Sequence, residues 1–357
     1  MLDAYGWSET LQRQFAFHAA EGLTPGRVIV QQRGLYRLVT PEGEVAAELS
    51  GRFLHQAQEG DHPVAGDWVA ARLRAGERAA TVHHVLPRAS VFTRRASGPG
   101  GGLQVVAANV DLVLLVASLN ADLSLRRLER YLATAWESGA KPVVVLTKAD
   151  ACEDAAALTA EVEAIAFGVP VLPVSALSGE GMEKVAALLE PGRTAVLLGS
   201  SGVGKSTLVN ALAGEELMAT GGVREDDARG RHTTTHRELV RLPGGALILD
   251  TPGMRELGLW QAEEGLSATF EDIEALAAGC RFRDCSHQGE PGCAVRTALE
   301  AGDLDEGRWK SFGKLQRELA HLDRRDDPQA RAEYRKLWIQ RNKDVKRRMK
   351  HRDREAY

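Results

Sequence analysis

The sequence predicts a multidomain protein: a small N-terminal β-barrel, a central α/β domain on a parallel sheet, and a helical C-terminal domain around a cysteine cluster. Three observations predict it. Short strand-like runs with turn signals crowd residues 25 to 95, strands alternate with amphipathic helices from 110 to 259, and Cys280, Cys285, His287 and Cys293 fall within fourteen residues. The divisions read as an extension at 1–24, a barrel at 25–97, a Gly-rich connector at 98–104, the α/β domain at 105–260 and the C-terminal domain at 261–357. At 357 residues and 44% hydrophobic content the chain can bury two or three cores. No run of eighteen apolar residues is present, and residues 1–21 scatter their charges where an export signal needs a basic start and an apolar core. The expectation is a cytoplasmic protein with no membrane contact, and nothing demands more than a monomer.

In the barrel, Arg27-Val28-Ile29-Val30 and Leu35-Tyr36-Arg37-Leu38-Val39 read as strands, Pro41-Glu42-Gly43 as a turn and Gly66-Asp67-Trp68-Val69-Ala70 as a further strand. This density of short strands suggests an OB-fold, whose open face suits RNA, with Arg33, Arg37, Arg72 and Arg74 as candidate contacts. A barrel that only packs against the next domain fits equally well. Residues 94–102 form the Gly-rich link.

The α/β domain begins with a strand at 110–117 and a helix at 123–138. Pro142-Val143-Val144-Val145-Leu146 is the next strand, and Thr147-Lys148-Ala149-Asp150 stands at its carboxyl end, where open α/β sheets place ligands. The Asp150 carboxylate can accept two hydrogen bonds from the ring N–H and exocyclic amine of guanine. Adenine offers no such donor pair, and a buried polar group left unpaired costs about 1–3 kcal/mol, more when charged. Lys148 lays its stem along the base. Ser175-Ala176-Leu177, after an apolar run, places a backbone N–H against the guanine carbonyl. Each string alone also fits a capping or turn loop.

Thr194-Ala195-Val196-Leu197-Leu198 reads as a buried strand and Leu208-Val209-Asn210-Ala211-Leu212 as the opening of a helix. Between them Gly199-Ser200-Ser201-Gly202-Val203-Gly204-Lys205-Ser206-Thr207 fits G-x-x-x-x-G-K-[ST] in full. Its backbone N–H groups can turn toward one anion, Lys205 adds charge at the outer phosphates, and Ser206 is the expected Mg²⁺ ligand. The guanine signal lies upstream of the phosphate loop, the reverse of an ordinary GTPase. Downstream, Asp250-Thr251-Pro252-Gly253 ends a strand. Asp250 is expected to hold Mg²⁺ through water, with the Gly253 N–H at the outermost phosphate. Among Thr233, Thr234 and Thr235, Thr234 is favoured to complete the Mg²⁺ shell. Met254 stands where many GTPases carry a water-orienting glutamine, and a thioether cannot do that work. His232 is the polar candidate for that work, as catalytic residue, as a turn cap or as a contact to RNA phosphates.

The spacing C-x₄-C-x-H-x₅-C of Cys280, Cys285, His287 and Cys293 supplies three thiolates and an imidazole for one structural Zn²⁺. Cys152 stands apart as an inert residue. The net charge is −4, yet residues 324–357 carry thirteen Lys/Arg against six Asp/Glu, a tail suited to an RNA backbone or to a solvated helix face.

These residues, in this order, resemble the circularly permuted GTPases that act on the small ribosomal subunit, the RsgA or YjeQ family. The resemblance covers nearly the whole chain. It rests on Ala107-Ala108-Asn109-Val110-Asp111, on Thr147 to Asp150, Ser175-Ala176, Gly199 to Thr207, Gly230-Arg231-His232-Thr233-Thr234-Thr235 and Asp250 to Gly253, followed by the cysteine cluster. Thr147 departs from the Asn that is commoner in GTPases. The resemblance implies an OB-like barrel, a circularly permuted α/β P-loop GTPase domain and a zinc-binding helical domain, and it points to His232 as catalytic. It further implies GTP hydrolysis to GDP and phosphate in late maturation of the 30S subunit, with 16S rRNA and the 30S particle as partner and stimulator. Two other readings use the same residues: a non-enzymatic RNA-binding assembly factor for which GTP is only a conformational ligand, and a signalling GTPase with protein partners.

Overall fold

The computed structural model describes residues 1–32, 34–58, 60–95, 103–120, 122–218, 237–250 and 263–326. It contains two compact units, one within Met1–Gly258 and one within Phe270–Tyr357.

The first unit opens with a 3-10 turn, Leu2–Tyr5, and helix α1, Glu9–Ala20, whose Ser8 cap accepts the Leu11 N–H at 3.3 Å. Strands β1 Thr24–Gln32, β2 Leu35–Thr40 and β3 Gly43–Leu49 follow, then the short helix α2 Gly51–Gln56, and strands β4 Trp68–Leu73 and β5 Ala79–Val85. The order β1-β2-β3-β5-β4 closes on itself because β4 also pairs with β1, from Thr24↔Ala71 to Arg27↔Trp68. Closure leaves these five strands little open edge, and the inward positions Val28, Leu38, Val45, Val69 and Val82 are buried in the interior. This is the small barrel that the strand density predicts.

Of its candidate RNA contacts, Arg37 pairs with Glu238 at 3.1 Å, Arg74 with Glu48 at 3.4 Å, and Arg72 donates to the Glu21 carbonyl at 3.5 Å. Exposed ion pairs are worth about 0–1 kcal/mol, so Arg37 and Arg74 can exchange a carboxylate for a phosphate at little cost. Arg33 lies outside the described residues.

Strands β6 Val91–Arg95 and β7 Leu103–Ala108 form an antiparallel pair, so the Gly-rich link, of which 96–102 lie outside the described residues, joins two paired strands. The α/β part then runs β8 Leu112–Ser118, α3 Leu125–Glu137, β9 Lys141–Thr147, α4 Ala155–Glu163, β10 Val171–Pro173, α5 Met182–Leu188, β11 Thr194–Leu198, α6 Lys205–Ala213, β12 Arg237–Arg241 and β13 Leu247–Asp250. Its strands lie in the order β10-β9-β8-β11-β13-β12, parallel except for β12. Residues 112–115 and 143–146 are buried throughout, the continuous apolar pattern of strands covered on both faces.

The barrel and this sheet are continuous. The far end of β1 pairs antiparallel with β12 at Val30↔Glu238 and Gln31↔Arg237, making one eleven-stranded sheet. A buried polar knot sits behind the junction. Arg27, 2% exposed, donates to the carbonyls of Tyr5 and Asn109 and, at 2.7 Å, to the Thr194 hydroxyl, while Asp111 accepts the Thr194 N–H at 2.7 Å. Burial pulls the Arg27 guanidinium down to about 10, still charged at neutral pH. Nearby, Asp67 is 0% exposed and accepts Arg88 Nε and Nη2, each at 2.8 Å. Burial pushes its carboxyl above the ordinary Asp value, and the Arg88 bonds oppose that shift. Arg88→Met keeps much of the volume and removes the charge. It is expected to destabilise the first unit by about 3–5 kcal/mol in urea unfolding, and Asp67→Asn in the same chain should recover part of the loss.

Beyond β13 come helices α7 Glu263–Thr269, α8 Glu271–Ala278, α9 Ala294–Ala301 and α10 Glu306–Asp326. In the second unit Phe270 and Phe312 pack at 5.3 Å, and buried Arg308 grips Asp272 through two bonds of 2.7 and 2.8 Å while standing 4.7 Å over the Phe270 ring. No described helix is long and apolar enough to cross a membrane. Residues 327–357, most of the basic tail, lie outside the described residues.

Candidate functional site

Parallel pairing brings the carboxyl ends of β8, β9 and β11 to one rim of the sheet, with Ser118 in register with Thr147. Sequence distance collapses there. The Thr147 hydroxyl lies 2.6 Å from the Val203 carbonyl, fifty-six positions along the chain, and 3.2 Å from the Ala117 carbonyl. Lys148, in the left-handed region at φ 61°, extends its ammonium to the Gly202 carbonyl at 3.0 Å. The tetrapeptide Thr147 to Asp150 and the loop of residues 199–207 are thus bolted together at two points. Thr147, the departure from the usual Asn, supplies one of them through its hydroxyl.

Ala149 donates to the Val174 carbonyl at 3.1 Å, which sets the tetrapeptide beside Ser175-Ala176-Leu177. Ser175 is fully buried and holds its own loop: its hydroxyl accepts the Ser178 N–H at 3.1 Å and its N–H reaches the Glu180 carbonyl at 2.9 Å. Asp150 is exposed on this rim.

The phosphate loop follows β11. A side chain at Gly199 would put its Cβ 2.2 Å from the Val116 carbonyl, so only glycine lets the loop leave the strand at this point. Gly202 and Gly204 have φ of 78° and 92°, and Gly204 caps α6. Lys205 opens that helix and folds its ammonium over the loop carbonyls of Gly199, at 2.7 Å, and Ser200. Ser201 is exposed, and Ser206 and Thr207 are half-buried in the first turn of α6, whose positive end faces the loop. Sequence reasoning missed Arg127 of α3, which donates to the Ser200 hydroxyl at 2.7 Å and pairs with Asp122 at 3.2 Å. Nothing in its helical periodicity marks a contact seventy-three positions away. Asp250 ends β13, the neighbour of β11. His232, Thr233, Thr234, Thr235, Gly253 and Met254 lie outside the described residues.

In the second unit, Cys280, Cys285, His287 and Cys293 converge, one ligand atom of each lying within 4.8 Å of the others. Cys280 Sγ is 3.6 Å from His287 Nδ1 and 3.9 Å from Cys293 Sγ, and His287 Nδ1 is 3.4 Å from Cys293 Sγ. Tetrahedral bonds of about 2.3 Å to sulfur and 2.0–2.1 Å to nitrogen put donor atoms roughly 3.5–3.8 Å apart, so the three spacings fit a zinc-sized ion. Glu290 shapes the loop between them, accepting N–H bonds from Ser286, Gln288 and Gly289 and the Ser286 hydroxyl, which draws its carboxyl down to about 2. His287, at φ 59°, packs edge-on against Trp309 of α10, tying the cluster to the helices.

A parallel sheet in which the strand carrying Thr147 to Asp150 precedes the strand carrying the G-x-x-x-x-G-K-[ST] loop, with the two loops bonded to each other, has the order of a circularly permuted GTPase. A family model described as RsgA GTPase matches residues 85–260. A small ribosomal subunit biogenesis GTPase RsgA of Opitutus terrae is 50% identical over 343 residues, covering 93% of this chain and 94% of the relative. The crystal structure of YjeQ from Thermotoga maritima superposes with a TM-score of 0.63 at 27% identity, covering 83% of this chain and 98% of that one. That of YloQ, described as a circularly permuted GTPase, gives 0.61 at 23%, covering 85% and 96%. The chain belongs to the RsgA GTPase family.

Proposed function

We propose that this chain hydrolyses GTP to GDP and phosphate during late maturation of the 30S ribosomal subunit in the cytoplasm, and that the subunit stimulates its turnover. The observation that carries the reading is the bonding of Thr147 and Lys148 to the loop carbonyls of Val203 and Gly202, in a chain that aligns almost end to end with a ribosomal-subunit biogenesis GTPase. In the bound state Asp150 takes the guanine donors, with Lys148, Ala149, Ser175 and Ala176 around the base, and residues 199–207 enclose the phosphates. Lys205 and the Gly253 N–H offset charge at the outermost phosphate, and His232 accepts a proton from the attacking water. Ser206, Thr234 and, through water, Asp250 would hold Mg²⁺, which would draw charge from the phosphate oxygens. Cys280, Cys285, His287 and Cys293 would hold one structural Zn²⁺, a closed set with no position for substrate. The barrel arginines and the basic tail suit 16S rRNA.

His232→Ala is expected to leave GTP affinity within about twofold and to lower turnover by about 10²–10⁴-fold, the usual range of a lost proton-transfer group. Turnover is measured with and without purified 30S subunits. Stimulation in the unmodified chain and its loss in the variant support the reading. Equal rates with and without subunits leave GTP as a ligand that only sets shape.

A further inference from the structure

A third set of ligand-type side chains converges where α1 meets the barrel wall. His18 lies in the last turn of α1, Glu21 caps that helix, and His84 lies on β5; one ligand atom from each falls within 4.8 Å of the other two. The two imidazoles stack with centroids 4.7 Å apart and planes 26° from parallel. His18 Nδ1 stands 3.9 Å from Glu21 Oε2 and is buried with no hydrogen-bond partner among the described residues. A buried polar atom left unmatched is destabilising, so this one calls for a partner that side chains do not provide.

The surroundings suit a cation. The carbonyls of His18 and Ala19 crowd the C-terminal end of α1, the negative pole of the helix. The neighbouring guanidinium of Arg72 bonds to the Glu21 backbone carbonyl, and no Arg72 bond to the Glu21 carboxylate occurs among the described residues. Beside His84 opens a cavity of about 300 Å³ lined also by Gln56, Asp61 and His83, which has room for water to fill further coordination positions.

We propose that His18, Glu21 and His84 form a further divalent-metal site, distinct from the cysteine cluster and from the proposed Mg²⁺ site, for a borderline ion such as Zn²⁺. Two imidazoles and one carboxylate are a donor set for zinc, with water completing the shell. The donors need to close by roughly 1 Å to meet bonds of about 2.0–2.2 Å, a movement that side-chain rotation supplies. Lacking thiolates and partly exposed, the site is weaker and more exchangeable than the cysteine cluster. Its ligands come from a helix end and a strand, so an ion there pins α1 to the barrel.

The test uses the full chain with its cysteine cluster loaded, dialysed against chelator-buffered Zn²⁺ and assayed by elemental analysis. Bound zinc is expected to rise from one to two per chain as free Zn²⁺ passes through the micromolar range. His84→Gln and Glu21→Gln, both at exposed positions that tolerate change, should each weaken the second equivalent at least about tenfold and leave the first intact. The thermal midpoint of the unmodified chain should rise with added Zn²⁺, and that of His84→Gln should not. The chain has ten histidines, so adventitious uptake is a real alternative. A second equivalent that survives in both variants, or zinc that stays at one per chain, overturns the proposal.

Discussion

Asp150→Asn is expected to weaken GTP binding by about 10³-fold and to create affinity for xanthosine triphosphate. The sign follows from the hydrogen-bond inventory. Guanine presents two donors on the edge that Asp150 faces in the proposed pocket, and a carboxylate accepts both; an amide accepts one and turns its NH₂ against the other. Xanthine carries a carbonyl where guanine carries the exocyclic amine, so the same amide meets one donor and one acceptor. Because Thr147 and Lys148 fix the tetrapeptide to the loop carbonyls of Val203 and Gly202, Asp150 is not free to withdraw from the mismatch. The phosphate loop is unchanged, so the magnitude reads base recognition alone. Titration of each nucleotide against the variant and the unmodified chain measures it. Equal GTP affinity in the two would remove Asp150 from the pocket.

Stripping metal from the cysteine cluster, or replacing Cys280 with serine, is expected to unfold the second unit. Zinc in small structural sites contributes apparent free energies on the order of 10 kcal/mol, as much as the whole stability of a domain of this size. Here the ion would bridge the end of α8, the loop held by Glu290 and the cap of α9, where Cys293 accepts the Arg296 N–H at 3.4 Å. Without it three thiol or thiolate groups and a histidine are left crowded together. Limited proteolysis and circular dichroism should show loss of α8 to α10 on chelation. GTP affinity should change less than about twofold, because the proposed base and phosphate-loop contacts all lie within the first unit. Full retention of those helices after quantitative zinc removal would contradict the cluster's structural role.

Much of this architecture was legible because it is local. Thr194–Leu198 is an apolar run bounded by a charge and a glycine, and it is the β11 strand to the residue. The phosphate loop was legible because close approach to Val116 and positive φ at Gly202 and Gly204 demand glycine. The cysteine cluster was legible because its ligands are near neighbours in sequence. What escaped reading is non-local. Nothing in Val30 or Glu238 announces that a barrel strand will pair with the sheet edge, and nothing in Arg88 announces a buried carboxylate twenty-one positions earlier. Residues 91–95 and 103–108 flank a Gly-rich stretch that reads as a linker, and their pairing as β6 and β7 depends on register, which that stretch does not specify. Asn109 and Asp111, quoted for their resemblance to a family pattern, prove to be junction residues: Asn109 turns the chain at φ 53°, accepts the Ala89 N–H and donates to the Gly66 carbonyl. His232, Thr234 and Gly253 belong to the part of the site outside the described residues, and their roles rest on chemistry and resemblance.

The central claim is that one pocket reads the purine with residues 147–150 and holds its phosphates with residues 199–207. Calorimetric titration of the unmodified chain with GTP and with ATP in the presence of Mg²⁺ tests it most directly. The pocket predicts GTP binding tighter than ATP by at least about 10²-fold, since adenine leaves the Asp150 carboxylate without its donors. ATP bound as tightly as GTP would contradict it.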